Sequence, residues 1–110
     1  MGKVMDMPQF PANLDILFEH PELLGSATPE EWYEHLKKTG HLIKPLNRGK
    51  FEDIEFKAGG GFRIHWSGDR ILQYHPPGGR WHVEDAYWKL SNGTAGTKRY
   101  DLSGKAIKTK

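Results

Sequence analysis

FRIHWSGDRILQYH, residues 62–75, decides the fold. Phe62, Ile64 and Trp66 alternate with Arg63 and His65, the period of two that lets a strand bury one face and wet the other. Ser67-Gly68-Asp69 then turns the chain, and residues 70–75 resume an extended pattern, which predicts a β-hairpin. Within 70–75, Ile71 and Leu72 compete for the inner face. Pro76-Pro77-Gly78-Gly79 ends the run.

Downstream, alternation returns at 86–90, turns at Ser91-Asn92-Gly93, and returns again at 97–102, with Ser103-Gly104 leading into a short last strand at 105–108. Upstream, Gly59-Gly60-Gly61 separates the hairpin from a further strand predicted at 51–57. The chain before that reads as helical. Leu14, Leu17 and Phe18 share a helix face that Pro21 cuts short. Thr28-Pro29-Glu30-Glu31 offers an N-cap, a proline at the first helical position and a capping-box glutamate. Trp32 and Leu36 follow on one face, Glu34 is spaced to pair with Lys38, and Gly40 stops the helix. Helices first and an antiparallel meander afterwards predict a single α+β domain. Its N-terminal helices (11–45) pack on a four- to five-stranded antiparallel sheet (51–108), and residues 1–10 form a leader or flexible edge.

The 110 residues support one modest core, to which four Trp, four Tyr and five Phe bring large apolar areas. With no cysteine, neither a disulfide nor a thiolate metal site holds the fold. No apolar run approaches the roughly 18 residues that cross a bilayer, and no membrane anchor is expected. The net charge of +2 conceals an asymmetry. Residues 1–57 hold seven Lys/Arg against ten Asp/Glu, net −3; residues 58–110 hold nine against four, net +5. That split predicts an anionic ligand for the second half.

Strand parity says where such a ligand meets the sheet. With Phe62, Ile64, Trp66, Trp88, Leu90, Tyr100 and Leu102 turned inward, Arg63, His65, Tyr87, Lys89, Thr97 and Arg99 converge on the opposite face. The set suits metal-independent RNA cleavage. An imidazole exchanges protons near neutrality, Lys and Arg stabilise charge growing on phosphorane oxygens, and hydroxyls hold the phosphate. The loop Tyr74-His75-Pro76-Pro77-Gly78-Gly79-Arg80-Trp81-His82 adds two more histidines, an arginine for phosphate and an aromatic for a base. His82 is the leading general acid/base candidate, and His75 follows it. His20, His35 and His41 read as a helix-end, a boundary and a solvated residue. A metal site would need His65, His75 and His82 together with Asp69, Glu84 or Asp85. No metal-ligand spacing supports one, and neither metal nor cofactor is expected.

Four stretches carry a resemblance: Gly59-Gly60-Gly61-Phe62-Arg63, the run from Gly68 to Pro76, Ala86-Tyr87-Trp88-Lys89, and Gly96-Thr97-Lys98-Arg99-Tyr100-Asp101. Together they resemble the C-terminal toxin domains of bacterial polymorphic toxins, the effector tips of contact-dependent inhibition, type VI and type VII systems. The likeness spans about residues 50–108. It implies a barnase/EndoU/colicin-like ribonuclease fold acting on tRNA or rRNA. By this resemblance His82, Lys89 and Thr97 or Arg99 would form the site; from the residues themselves, Arg63, Arg80, Trp81, Tyr87 and Lys98 are expected to bind the nucleic acid. The resemblance further implies delivery as part of a larger effector into the target cell's cytoplasm and a cognate immunity protein that blocks the site; a monomer is expected. Two alternatives use the same residues: a nucleic-acid-binding module without catalysis, and a metal-dependent DNase toxin.

Overall fold

Among the described residues, five antiparallel strands form an open meander in the order β1-β2-β3-β4-β5: β1 Ile43–Lys44, β2 Phe62–Ser67, β3 Arg70–His75, β4 Tyr87–Asn92 and β5 Gly96–Tyr100. Two helices, α1 Ile16–Glu19 and α2 Pro29–Lys38, precede them, joined by a 3-10 segment at Pro21–Ser26. The computed structural model describes residues 10–78, 86–93 and 96–107. The architecture is α+β, as the order of sequence patterns predicts. Its Cα radius of gyration of 13.6 Å is close to the roughly 13 Å of a packed 100-residue chain.

Local chemistry explains the best-formed helix. Thr28 Oγ1 accepts from Glu31 N (3.1 Å) while Thr28 N donates to Glu31 Oε1 (2.9 Å), a reciprocal capping box with Pro29 at the first helical position. At the other end Gly40, at φ +92, lets Gly40 N reach Lys37 O and His41 N reach Leu36 O. Between these stops, Trp32 and Leu36 are fully buried. Glu34 does not pair with Lys38; its carboxylate takes Lys57 Nζ instead, at 2.9 Å. Leu17 of α1 and Leu14 just before it are buried as their spacing predicts, and Pro21 converts the chain to a 3-10 turn.

The sheet's inner face runs in two registered rows. Phe62, Tyr74, Trp88 and Tyr100 pair across β2 to β5, and Ile64, Leu72 and Leu90 form the next row. Leu72, not Ile71, takes the core position. Trp32 of α2 meets Trp88 edge to face at 6.1 Å, and Tyr33 stacks on Phe56 at 4.6 Å. Offset and edge-on aromatic packing of this kind supplies much of a small core.

Four expectations about the sheet are corrected. Residues 51–57 are not a strand. Residues 51–53 turn, Phe56–Ala58 is a 3-10 helix, and left-handed Asp53 (φ 61) and Gly59 (φ 101) interrupt the extended run. The first strand is Ile43–Lys44 instead, inside the stretch read as helical, pairing with Ile64 and Arg63. Among the described residues, the last strand shrinks to one bridge, Tyr100 to Ala106. Leu102 lies beyond β5 and is 37% exposed, not inward. Trp66, past which the β2 register shifts, is half-buried against Phe18 and donates Nε1–H to Asp15 (3.0 Å).

Candidate active site

The polar face follows from the same register. Arg63, Gln73, Lys89 and Arg99 pair successively across β2, β3, β4 and β5, one row of side chains on the face away from the helices. One step along, His75 pairs with Tyr87. Two residues from the Lys89 row in the other direction lie Ile71, Ser91 and Thr97. Parity thus assigns every predicted outward residue of β2, β4 and β5 to its observed side.

Over part of this face passes residues 45–53. Pro45 O accepts from Arg63 Nε (3.0 Å), Leu46 is buried, and Leu46 O accepts from Asp53 N (2.8 Å). Gly61 makes the passage possible, because a Cβ there would overlap Tyr74 O and crowd Leu46 Cδ1. Between segment and sheet lies a cleft of about 420 Å³. His75, Tyr87, Lys89 and Arg99 form its floor, and Arg48, Lys50, Phe51 and Glu52 line its wall. Four cations face one carboxylate. A concave, low-dielectric site with that imbalance concentrates an anion.

His75 sits on the Tyr87 ring, centroids 4.7 Å apart and planes 4° from parallel. Its Nε2 lies 3.0 Å from Gln73 Oε1. An amide oxygen can only accept, so this pairing calls for the tautomer with the proton on Nε2 and the lone pair on Nδ1. Burial, then the charges of Lys89 and Arg99, push the imidazole down to about 4, so the ring is a neutral base at pH 7. Burial, then Arg99 and Arg48, also lower the pKa of the Lys89 ammonium, making it a readier proton donor than a free lysine. Arg99 approaches Tyr87 (6.0 Å to the ring), and its Nε is buried with no hydrogen-bond partner among the described residues. Such a donor costs stability unless something accepts from it.

The structure separates the sequence candidates. Lys89, Arg99, His75 and Tyr87 come together. Tyr87 is buried beneath His75 and is therefore a support rather than a contact surface. His65 does not join them. It pairs with Ile71, four residues along β3 from His75 or roughly 13 Å, and its ring turns to the Gly68 carbonyl. Thr97 shares the face but hydrogen-bonds Ser91 Oγ (3.0 Å) and does not line the cleft. Lys98 pairs with Leu90 on the opposite parity and points away. Arg63 spends its Nε on the Pro45 carbonyl. Arg80, Trp81 and His82 lie outside the described residues, as do Glu84 and Asp85. Among the described residues, no three His, Asp or Glu side chains are grouped to hold a metal ion.

Gln73, Arg48, Lys50 and Phe51 line or adjoin the cleft but are not among the residues that strand parity picks out. Gln73 shows itself only once the register of β3 is known. For the wall, the signal was present: Arg48-Gly49-Lys50-Phe51 interleaves basic and aromatic residues around a glycine. Among the described residues, no helix is long and apolar enough to cross a membrane. Comparison of the chain with known protein families, curated proteins and solved structures finds no match.

Proposed function

We propose that this domain is a metal-independent endoribonuclease, and that the cleft beneath residues 46–52 is its active site. One observation carries the reading: Lys89 and Arg99 are cross-strand neighbours in the cleft that also holds a neutral, half-buried His75. His75 Nδ1 takes the proton from a ribose 2′-hydroxyl, and O2′ attacks the adjacent phosphorus. Arg99 donates to the non-bridging oxygens as charge builds on them. The P–O5′ bond breaks, Lys89 protonates the leaving oxygen, and the products are a 2′,3′-cyclic phosphate and a 5′-hydroxyl.

The further reading, an antibacterial toxin domain acting on tRNA or rRNA in a recipient cell's cytoplasm, rests on the resemblance of residues 50–108. A cationic cleft of this kind calls for an immunity protein with an acidic face. Incubation of the purified protein with RNA in EDTA tests the chemistry. Cyclic-phosphate ends should form, a single 2′-deoxy substitution at the cut position should abolish that cut, and Lys89→Ala should remove cleavage and growth arrest together. Binding that is salt-sensitive but leaves every strand whole would replace the enzyme with a non-catalytic nucleic-acid-binding module. Cleavage that returns only when a divalent ion is added would replace it with a metal-dependent nuclease.

A further inference from the structure

The chemistry above leaves the wall of the cleft without a task. Residues 46–53 are fastened at both ends: Arg63 holds the Pro45 carbonyl, Asp53 N closes on Leu46 O, and Leu46 is buried at 3% exposure. Within the loop, Glu52 N bonds Gly49 O (3.1 Å) and Ile54 N bonds Phe51 O (3.2 Å). Its shape is therefore set before a ligand arrives. Phe51 lines this wall with Arg48 and Lys50, in the cleft that also holds Lys89 and Arg99.

Phe51 is unlike the other phenylalanines. Phe10, Phe18, Phe56 and Phe62 each contact another ring and belong to or pack against the core cluster. Among the described residues, Phe51 contacts no ring and is outside that cluster. The Lys50 ammonium lies 5.8 Å from its centroid, and opposite its edge stands Gly78, which has no side chain to cover it. A half-buried aromatic set among cations, outside the core cluster and without a ring partner among the described residues, is the arrangement that binds single strands. Every base has a π-face to stack, and the cations track the phosphates.

We propose that Phe51 is the stacking platform for the nucleobase beside the phosphate held by Lys89 and Arg99, so that the cleft takes unpaired RNA and refuses duplex. The inference rests on the ribonuclease reading and names its substrate class. Bases inside a helix are already stacked on both faces and cannot lie on the ring. The cleft volume of about 420 Å³ lies within the roughly 300–1,000 Å³ of sites that enclose small ligands, room for a nucleotide and not for a helix.

The test measures binding of an uncleavable 2′-O-methyl RNA hexanucleotide in EDTA, alongside a fully abasic strand of equal length and the hexanucleotide's duplex. The wild-type protein should prefer the base-bearing single strand over both others by about tenfold or more. Phe51→Ala and Phe51→Leu should erase that preference while leaving abasic-strand binding unchanged, and Phe51→Trp should keep it. Leucine guards against misfolding, since it retains most of the apolar bulk. Equal affinity of Phe51→Leu and wild type for the base-bearing strand, or a duplex bound as tightly as the single strand, overturns the proposal. Unmodified RNA, run in parallel, separates the two readings. Cleavage in EDTA without Phe51-dependent binding sinks the stacking platform alone, and Phe51-dependent binding without cleavage sinks the ribonuclease alone.

Discussion

The two faces of the sheet are made from alternate residues of the same strands, yet they are built to opposite rules. On the inner face, Phe62, Tyr74, Trp88 and Tyr100 meet one another across strands and then meet α2, and each is at most 8% exposed. On the outer face, Gln73, Lys89 and Arg99 occupy the neighbouring row, with two like charges directly opposite each other. Like-charged cross-strand pairs destabilise a sheet, and a half-buried one more so. The fold would be more stable with apolar or oppositely charged residues at these positions. The inner face is what the molecule stands on, and the outer face is a cost that an anion would relieve.

Four measurements break or sharpen that contrast. The largest effect should come from the inner face. Trp88→Ala opens a cavity under Trp32 and should cost about 3–5 kcal/mol in chemical denaturation, a large fraction of the roughly 5–15 kcal/mol that holds a domain together. Next, Lys89→Ala should lower cleavage by roughly 100-fold or more while leaving the melting temperature equal or raised; a large loss of stability instead would mean the polar face is structural. Third, the His75 ring binds its proton at about 4 when folded and near 6.5 when unfolded. The unfolded chain therefore holds more protons between those values, and stability falls as pH drops from 6.5 to 4. The loss attributable to this ring should be about 3 kcal/mol, read as the difference between wild type and His75→Gln in denaturant titrations at the two pH values. The smallest effect belongs to the residues that share the outer face but not the cleft. His65→Ala and Thr97→Ala should each change cleavage by less than about threefold and stability by under about 0.5 kcal/mol.

What could be read from the sequence divides along the same line. Strand parity is a period-two rule that depends on nothing beyond the strand itself. The convergence of Lys89 and Arg99, and the burial of Phe62, Ile64 and Trp88, are therefore legible in the sequence. The capping box at Thr28 and the stop at Gly40 were legible for the same reason, since both are closed within a few residues. Positions along a strand were not. His65 and His75 are alike in parity, and only the register shows that His65 lies with Ile71 at the far end of the hairpin. The wall of the cleft was hidden more deeply. Ile54 and Phe56 imitate an alternating strand, but Asp53 and Gly59 take left-handed conformations that no period reveals. Where residues 45–53 lie is decided by a tertiary contact, Leu46 passing over the side-chain-free Gly61.

Asp101 makes a last feature of the fold matter. One of its oxygens, Oδ1, accepts from Ser103 N, Ser103 Oγ and Lys105 N, which lowers its pKa. The turn it organises carries Ala106 back to bridge Tyr100 and Ile107 N to bond Arg99 O. A single carboxylate thus latches the returning tail over the outermost strand, covering backbone groups that would otherwise be free to recruit a neighbouring molecule. The latch grips the chain at Arg99 itself, so protecting the molecule from its own kind and steadying one of its proposed catalytic cations are the same act.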